Sequence, residues 1–257
     1  MAQETTSGGT VLTRTTFEIR PRDGGPPIRG DVRVVEGAAP ETAIVIAHGF
    51  KGFRNWGMFP PLARAAALRG HAAVTFDFSH NGVGADGEDF TALHLFAEHT
   101  HSQELHDLRR VLDAVVGPRL LPRPPRAVGL LGHSRGGSTA ILAAADDTRV
   151  AALVTWAAVS DIHARWTDEQ RAAWKRGDAV AITNARTGLQ MPIHATYWRD
   201  LQAHRHGLDV VAAAARVEQP WLVVHGDADT SVAVDDGRAL FEAAGDDAEL
   251  LVVEGAD

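Results

Sequence analysis

The stretch Ala127-Val128-Gly129-Leu130-Leu131-Gly132-His133-Ser134-Arg135-Gly136-Gly137-Ser138 constrains the fold more than any other in the chain. It reads as an apolar strand, a sharp turn and a helix of small residues. Ser134 falls at the turn, where the backbone must bend through a strained conformation and aim the side chain outward. Gly132 and Gly136 leave room for strand and helix to pass closely. The dipole of the helix that follows favours negative charge developing at its N-terminus. Gly-x-Ser-x-Gly alone recurs by chance, but a buried strand before it and a helix after it make it a specific sign of an exposed serine nucleophile, here Ser134.

The rest of the chain supplies a setting for such a turn. Short apolar runs recur at Ala43–Ala47, Ala72–Phe78, Ala127–Leu131, Ala152–Ala157, Trp221–Val224 and Glu249–Val253. They are apolar on both faces, as strands buried between two helical layers must be. Helical periodicity separates them at Pro60–Arg69, Ser102–Val116, Ser138–Ala145 and Asp235–Ala244. Phe17–Arg20 and Ile28–Val35 flank a Pro- and Gly-containing turn and predict an opening hairpin. The alternation predicts an α/β fold with a mostly parallel, doubly wound sheet. Residues 162–216 break the pattern. They hold Trp166, Trp174, Trp198, Tyr197 and many Arg and His residues, show no strand, and read as a short helical cap inserted over the strand ends. The whole chain, 1–257, is read as one domain, with residues 1–10 as a disordered lead-in.

A serine nucleophile needs a base, an acid that orients the base, and donors for the oxyanion. The acid candidate lies where the strand Trp221–Val224 runs into His225-Gly226-Asp227-Ala228-Asp229, at the carboxyl edge of the sheet where ligands bind in open α/β folds. Asp229 is chosen over Asp227, which is expected to bond the loop, with Asp161 a weaker third candidate. The oxyanion donors are assigned to the amides of Arg135, directly after the serine, and Phe50, in the loop His48-Gly49-Phe50-Lys51-Gly52. His48 is expected to bond locally, His133 to point away from the serine, and His225 to lie in a buried strand end. His99, His101, His204 and His206 are read as structural or exposed.

These residues carry a family resemblance. The stretches His48–Phe53, Phe76-Asp77-Phe78-Ser79-His80-Asn81-Gly82, Gly132–Gly137 and His225–Asp229 resemble the α/β-hydrolase superfamily, within its dienelactone-hydrolase and prolyl-oligopeptidase-like group, from about Thr42 onward. The resemblance implies that the general-base histidine follows a last strand in a Gly-Ala-Asp-His-like loop. Here the last strand is followed by Gly255-Ala256-Asp257, so the base and a covering helix are expected to lie beyond a truncated end, and turnover by residues 1–257 to be impaired.

Bulk properties narrow the function. A formal charge of −8 disfavours nucleic acid and anionic membrane as partners. The absence of cysteine excludes disulfides, thiolate metal sites and a Cys nucleophile. Neither a cofactor nor a metal is expected. Gly82-Val83-Gly84-Ala85-Asp86-Gly87 fits a dinucleotide pattern, but Asp86, Glu88 and Asp89 would repel a pyrophosphate, and it is read as a mobile loop near the mouth of the site. No signal peptide or membrane-spanning stretch is read, so the expected location is cytoplasmic. The expected partner is a small-molecule ester; oligomeric state stays open. The leading reading is a serine hydrolase of carboxylic esters. An amide or peptide hydrolase is the nearest chemical variant, and a non-catalytic binding protein on the same fold is the alternative class.

Overall fold

A computed structural model describes residues 1–5, 8–22 and 24–257. The first strands are β1 (Ala2–Thr5), β2 (Val11–Ile19), β3 (Ile28–Val35) and β4 (Thr42–Ala47), followed by α1 (Phe59–Leu68) and β5 (Ala72–Asp77). Then come α2 (Leu93–Ala97), α3 (His101–Val116), β6 (Ala127–His133), α4 (Arg135–Ala144) and β7 (Val150–Trp156). An insertion carries α5 (Asp168–Arg176), β8 (Val180–Thr183), β9 (Gln190–Ile193), α6 (Ala195–Ala203) and α7 (Val210–Ala214). The chain closes with β10 (Trp221–Gly226), α8 (Val234–Ala243) and β11 (Ala248–Val253).

Nine strands form one sheet in the order β1-β2-β3-β5-β4-β6-β7-β10-β11. The β1–β2, β2–β3 and β3–β5 pairs are antiparallel; from β5 to β11 the neighbours run parallel. Strand β4 shows why both faces must be apolar. Ala43, Val45 and Ala47 enter a core shared with α3, α4, α7 and α8, whereas Ile46 enters a second core with Phe59, Ala63, Ala66 and Ala67 of α1. Adjacent side chains on a strand point to opposite faces, so helices stand on both sides of the sheet. Beyond α1, on the alternating residues of the last parallel strands, Trp156, Leu251 and Val253 are exposed, and Val224 lies between Trp156 and Leu251 in register.

Two expectations need correction. Residues 1–10 are not a disordered lead-in over their described length: Ala2–Thr5 pairs with β2, and Glu4 Oε1 accepts from the buried Arg33 Nε at 3.2 Å. That ion pair removes a penalty Arg33 would otherwise carry alone. Thr6 and Ser7 lie outside the described residues. The insertion at 162–216 is not purely helical, because β8 and β9 form an antiparallel hairpin closed by Gly188 N donating to Asn184 O at 2.8 Å. The loop after β5 lies next to the cavity over Ser134 without lining it, since Gly87 O accepts from Asn55 Nδ2 at 3.1 Å beside the lining residue Trp56. It closes on itself through Gly84 N to Asp89 O at 2.8 Å and the Asp86 carboxylate, which accepts from the Glu88 amide. Among the described residues no helix is long and apolar enough to cross a membrane.

Candidate active site

Ser134 joins β6 to α4 with φ 54° and ψ −125°, a conformation that L-residues avoid and that costs roughly 1–3 kcal/mol. Its surroundings enforce it. Ser134 N donates to Trp156 O of the neighbouring strand at 2.8 Å, and Ser134 O accepts from Gly137 N at 2.8 Å, so the strand ladder and the first helical turn share one residue. The glycines around it are required by contact. A Cβ on Gly132 would lie 2.6 Å from Gly137 Cα, and one on Gly136 would lie 2.7 Å from Ala47 O.

The two residues assigned as oxyanion donors line the same cavity as the serine. Arg135 is the first residue of α4, where an amide has no intrahelical acceptor. Phe50 belongs to the loop after β4, which presses against the elbow: a Cβ on Gly49 would sit 2.9 Å from Ser134 Cβ. Among the described residues neither amide donates to a backbone carbonyl. The loop is held at both ends. His48 Nδ1 donates to Gly49 O at 2.8 Å, while its Nε2 accepts from Phe78 N at 3.4 Å, so His48 bonds locally as expected. Burial pulls its pKa down to about 4. Farther along, the buried Arg54 guanidinium bridges Asp31 at 3.1 Å and Asp77, and Arg54 N donates to Asp77 Oδ1 at 2.7 Å. Lys51, at φ 57°, is a second non-glycine residue in the left-handed region.

Asp229 lies on the loop after β10. Its Oδ1 accepts from the amides of Ser231 at 2.8 Å and Val232 at 2.9 Å, and Oδ2 stands 3.8 Å from His225 Nε2. His225 is fully buried and donates from Nε2 to Val232 O at 2.8 Å. Asp227 instead accepts from Gly255 N at 2.6 Å, and Asp161 bonds the amides of its own turn, His163 and Ala164. The residues after β11 run along the Asp229 loop: Ala256 O accepts from Ala228 N at 3.0 Å, and Asp257 Oδ1 from Thr230 N at 3.0 Å.

Ser134 opens into a cavity of 530 Å³. Phe50, Trp166 and Tyr197 give it an aromatic wall that continues through Phe96, His99 and Trp174. Trp174 Nε1 donates to Ile193 O at 3.0 Å, tying α5 to the hairpin. The Arg135 side chain lies buried in this wall. It pairs with Glu104, reaches His99 Nε2 at 3.3 Å, and stacks 4.0 Å from the Phe50 ring. Burial pushes the Glu104 carboxyl up against the pull of Arg135. It also pushes the Tyr197 hydroxyl up to about 12.

His133 borders the same cavity as Ser134, but its ring packs edge-on against Phe59 and makes no hydrogen bond to the serine. Burial lowers its pKa to about 4, partly opposed by the Asp229 charge. His101 also reaches the cavity; both ring nitrogens are buried without a hydrogen-bond partner, Nδ1 stands 3.9 Å from Glu104 Oε2, and burial and Arg135 pull its pKa well below the usual value. Among the described residues no histidine is hydrogen-bonded to Ser134. Lys51, Arg165 and Arg186, none singled out from the sequence, line the rim. They come from three separate loops, so no local spacing marks them.

A serine raised on a strained strand-to-helix turn and an acidic loop at the carboxyl edge of a parallel sheet are features of the hydrolases built on this fold. The chain belongs to the alpha/beta hydrolase family, whose model matches residues 44–257. It is 24% identical over 241 residues to the 31.7 kDa protein of the traX–finO intergenic region of Escherichia coli, covering 82% of this chain and 80% of that one. It is 29% identical over 145 residues to the 2,6-dihydropseudooxynicotine hydrolase of Paenarthrobacter nicotinovorans, covering 54% of this chain and 34% of the other. Among solved structures it is similar in fold to the alpha/beta hydrolase GrgF from Penicillium sp. sh18, with a TM-score of 0.73, 19% identity, and coverage of 95% and 90% of the two chains. It is likewise similar to Est1E from Butyrivibrio proteoclasticus, with a TM-score of 0.67, 19% identity, and coverage of 93% and 88%.

Proposed function

We propose that this chain is a serine hydrolase that cleaves carboxylic esters through an acyl-enzyme on Ser134. The observation that carries the reading is the elbow itself: a non-glycine residue at φ 54°, at a helix N-terminus, facing a cavity. Strain at one serine, beside two amides without acceptors, has no structural use that a glycine would not serve better. In this reading Ser134 Oγ attacks the ester carbonyl, and the Phe50 and Arg135 amides bind the tetrahedral oxyanion. The alcohol leaves, and water then releases the acid from the serine. Asp229 orients the base, its Oδ1 pinned by two amides and its Oδ2 left for that partner.

The base in this reading is an imidazole that Asp229 can orient, beside the loop at 228–230 to which Ala256 and Asp257 are hydrogen-bonded. His133 and His101 are poorer bases: a general base works best with a pKa near the operating pH, and both are held far below it. The loop and elbow motifs also support a place in the dienelactone-hydrolase and prolyl-oligopeptidase-like group. The test is hydrolysis of a p-nitrophenyl ester series. Turnover that vanishes in Ser134→Ala supports the proposal, and equal turnover by the two proteins refutes it. A second reading, ligand binding without catalysis, is favoured by the absence of a histidine bonded to Ser134 among the described residues; it predicts tight ester binding with no acyl-enzyme.

A further inference from the structure

The formal charge of the chain is −8, yet the cavity over Ser134 is lined by Lys51, Arg135, Arg165 and Arg186 and, among the described residues, by no Asp or Glu. Arg135 is neutralised by Glu104. The other three are oriented by backbone carbonyls instead of carboxylates. Lys51 Nζ donates to Thr183 O at 3.2 Å, Arg186 Nη2 to Lys51 O at 2.6 Å, and Arg165 Nη2 to Ser231 O. A carbonyl fixes the position of a cation without cancelling its charge. Arg186 is held further by stacking 4.1 Å from the Trp56 ring.

The arrangement gathers positive charge: the Arg186 guanidinium is hydrogen-bonded to the Lys51 backbone, and the Lys51 ammonium is pulled below its usual pKa by burial and by Arg186. Lys51 also holds a left-handed backbone where glycine would be relaxed. A group of cations without carboxylate partners is suited to a counter-charge that arrives from outside.

We infer that Lys51, Arg186 and Arg165 form a recognition site for a carboxylate on the substrate, so that the ester cleaved at Ser134 is a monoester of a dicarboxylic acid, or another ester bearing a remote carboxylate. This rests on the hydrolase reading for the position of the scissile bond, but the anion site itself does not require turnover. The aromatic wall takes the apolar part of the acid, and the cationic rim takes its charged end. The rim also excludes cationic esters by repulsion.

The test is binding to Ser134→Ala protein, which leaves the ester intact, of monomethyl glutarate and its neutral isostere dimethyl glutarate, followed by calorimetry. The monoester binds about tenfold tighter, the sum of two or three half-exposed ion pairs. The preference shrinks in 0.5 M NaCl and falls about threefold in Lys51→Gln and again in Arg186→Gln. Arg186→Lys keeps most of it, which retains the test should Arg186→Gln fold poorly. Equal affinity for the two esters, or binding of neither at millimolar concentration, overturns the inference. Glutarate displaces the bound monoester, whereas displacement by inorganic phosphate alone would overturn the assignment to a carboxylate. If wild-type Ser134 proves inert while the monoester preference persists, the hydrolase reading fails and the anion site stands. If Ser134 is reactive and the preference is absent, the anion site alone fails.

Discussion

Replacing Ser134 by glycine should make the protein more stable while abolishing its chemistry. The side chain stands at φ 54° and ψ −125°, which costs a residue with a Cβ roughly 1–3 kcal/mol. Glycine relieves that strain but gains freedom in the unfolded chain, which costs about 0.4–1 kcal/mol. The difference is a net stabilisation of about 1 kcal/mol, or about 2–4 °C in Tm for a chain of this size. Ser134→Ala separates this cause from loss of the hydroxyl, because alanine keeps the Cβ and therefore the strain. Scanning calorimetry of the three proteins under one buffer reads the effect. The expected order is Ser134→Gly above wild type, with Ser134→Ala within about 0.5 kcal/mol of wild type. A Ser134→Gly protein that melts below Ser134→Ala would refute the claim that the elbow stores strain at the Cβ of this residue.

Other outcomes follow from the same geometry. Gly49→Ala sets a methyl group 2.9 Å from Ser134 Cβ, and the displaced Phe50 amide should lower the acylation rate of Ser134 by about a hundredfold with little change in far-UV circular dichroism. Glu104→Gln leaves the Arg135 guanidinium buried without its charge partner and should cost about 3–5 kcal/mol in urea unfolding. Acid should destabilise the fold early. His48 and His133 are held neutral by burial, with folded pKa values of about 4 against 6.5 when unfolded, so below pH 6.5 the unfolded chain binds protons first. Their contribution is fully present above pH 6.5 and is lost as the pH falls toward 4, by roughly 3 kcal/mol per histidine at most. Urea midpoints at pH 7.0, 5.5 and 4.5 should fall accordingly, and less steeply in His133→Asn.

The parts of the molecule legible in the sequence are those specified locally. The elbow needs Gly132, Ser134 and Gly136 at fixed spacing between a strand and a helix, and all of that lies within residues 127–144. The parallel strands announced themselves as apolar runs because both their faces are buried. Strand β1 did not, since its side chains are largely exposed and its one ion pair to a buried side chain is with the distant Arg33. The β8–β9 hairpin was missed because two four-residue strands in a charged insertion show no clear period. The position of His133 depends on how the ring packs over Gly49 and Phe59, which no spacing encodes. The cationic rim is the extreme case: Lys51, Arg165 and Arg186 converge only after β4, the insertion and the hairpin have been folded together.

The central claim is that Ser134 is an activated nucleophile, and peptide mapping after reaction with a fluorophosphonate tests it most directly. The protein is treated with the probe, digested and sequenced by mass spectrometry. The account predicts one adduct, on Ser134, absent from Ser134→Ala and slowed by prior incubation with an ester substrate. A folded protein that gives no adduct at Ser134, or an equal one in Ser134→Ala, would contradict it.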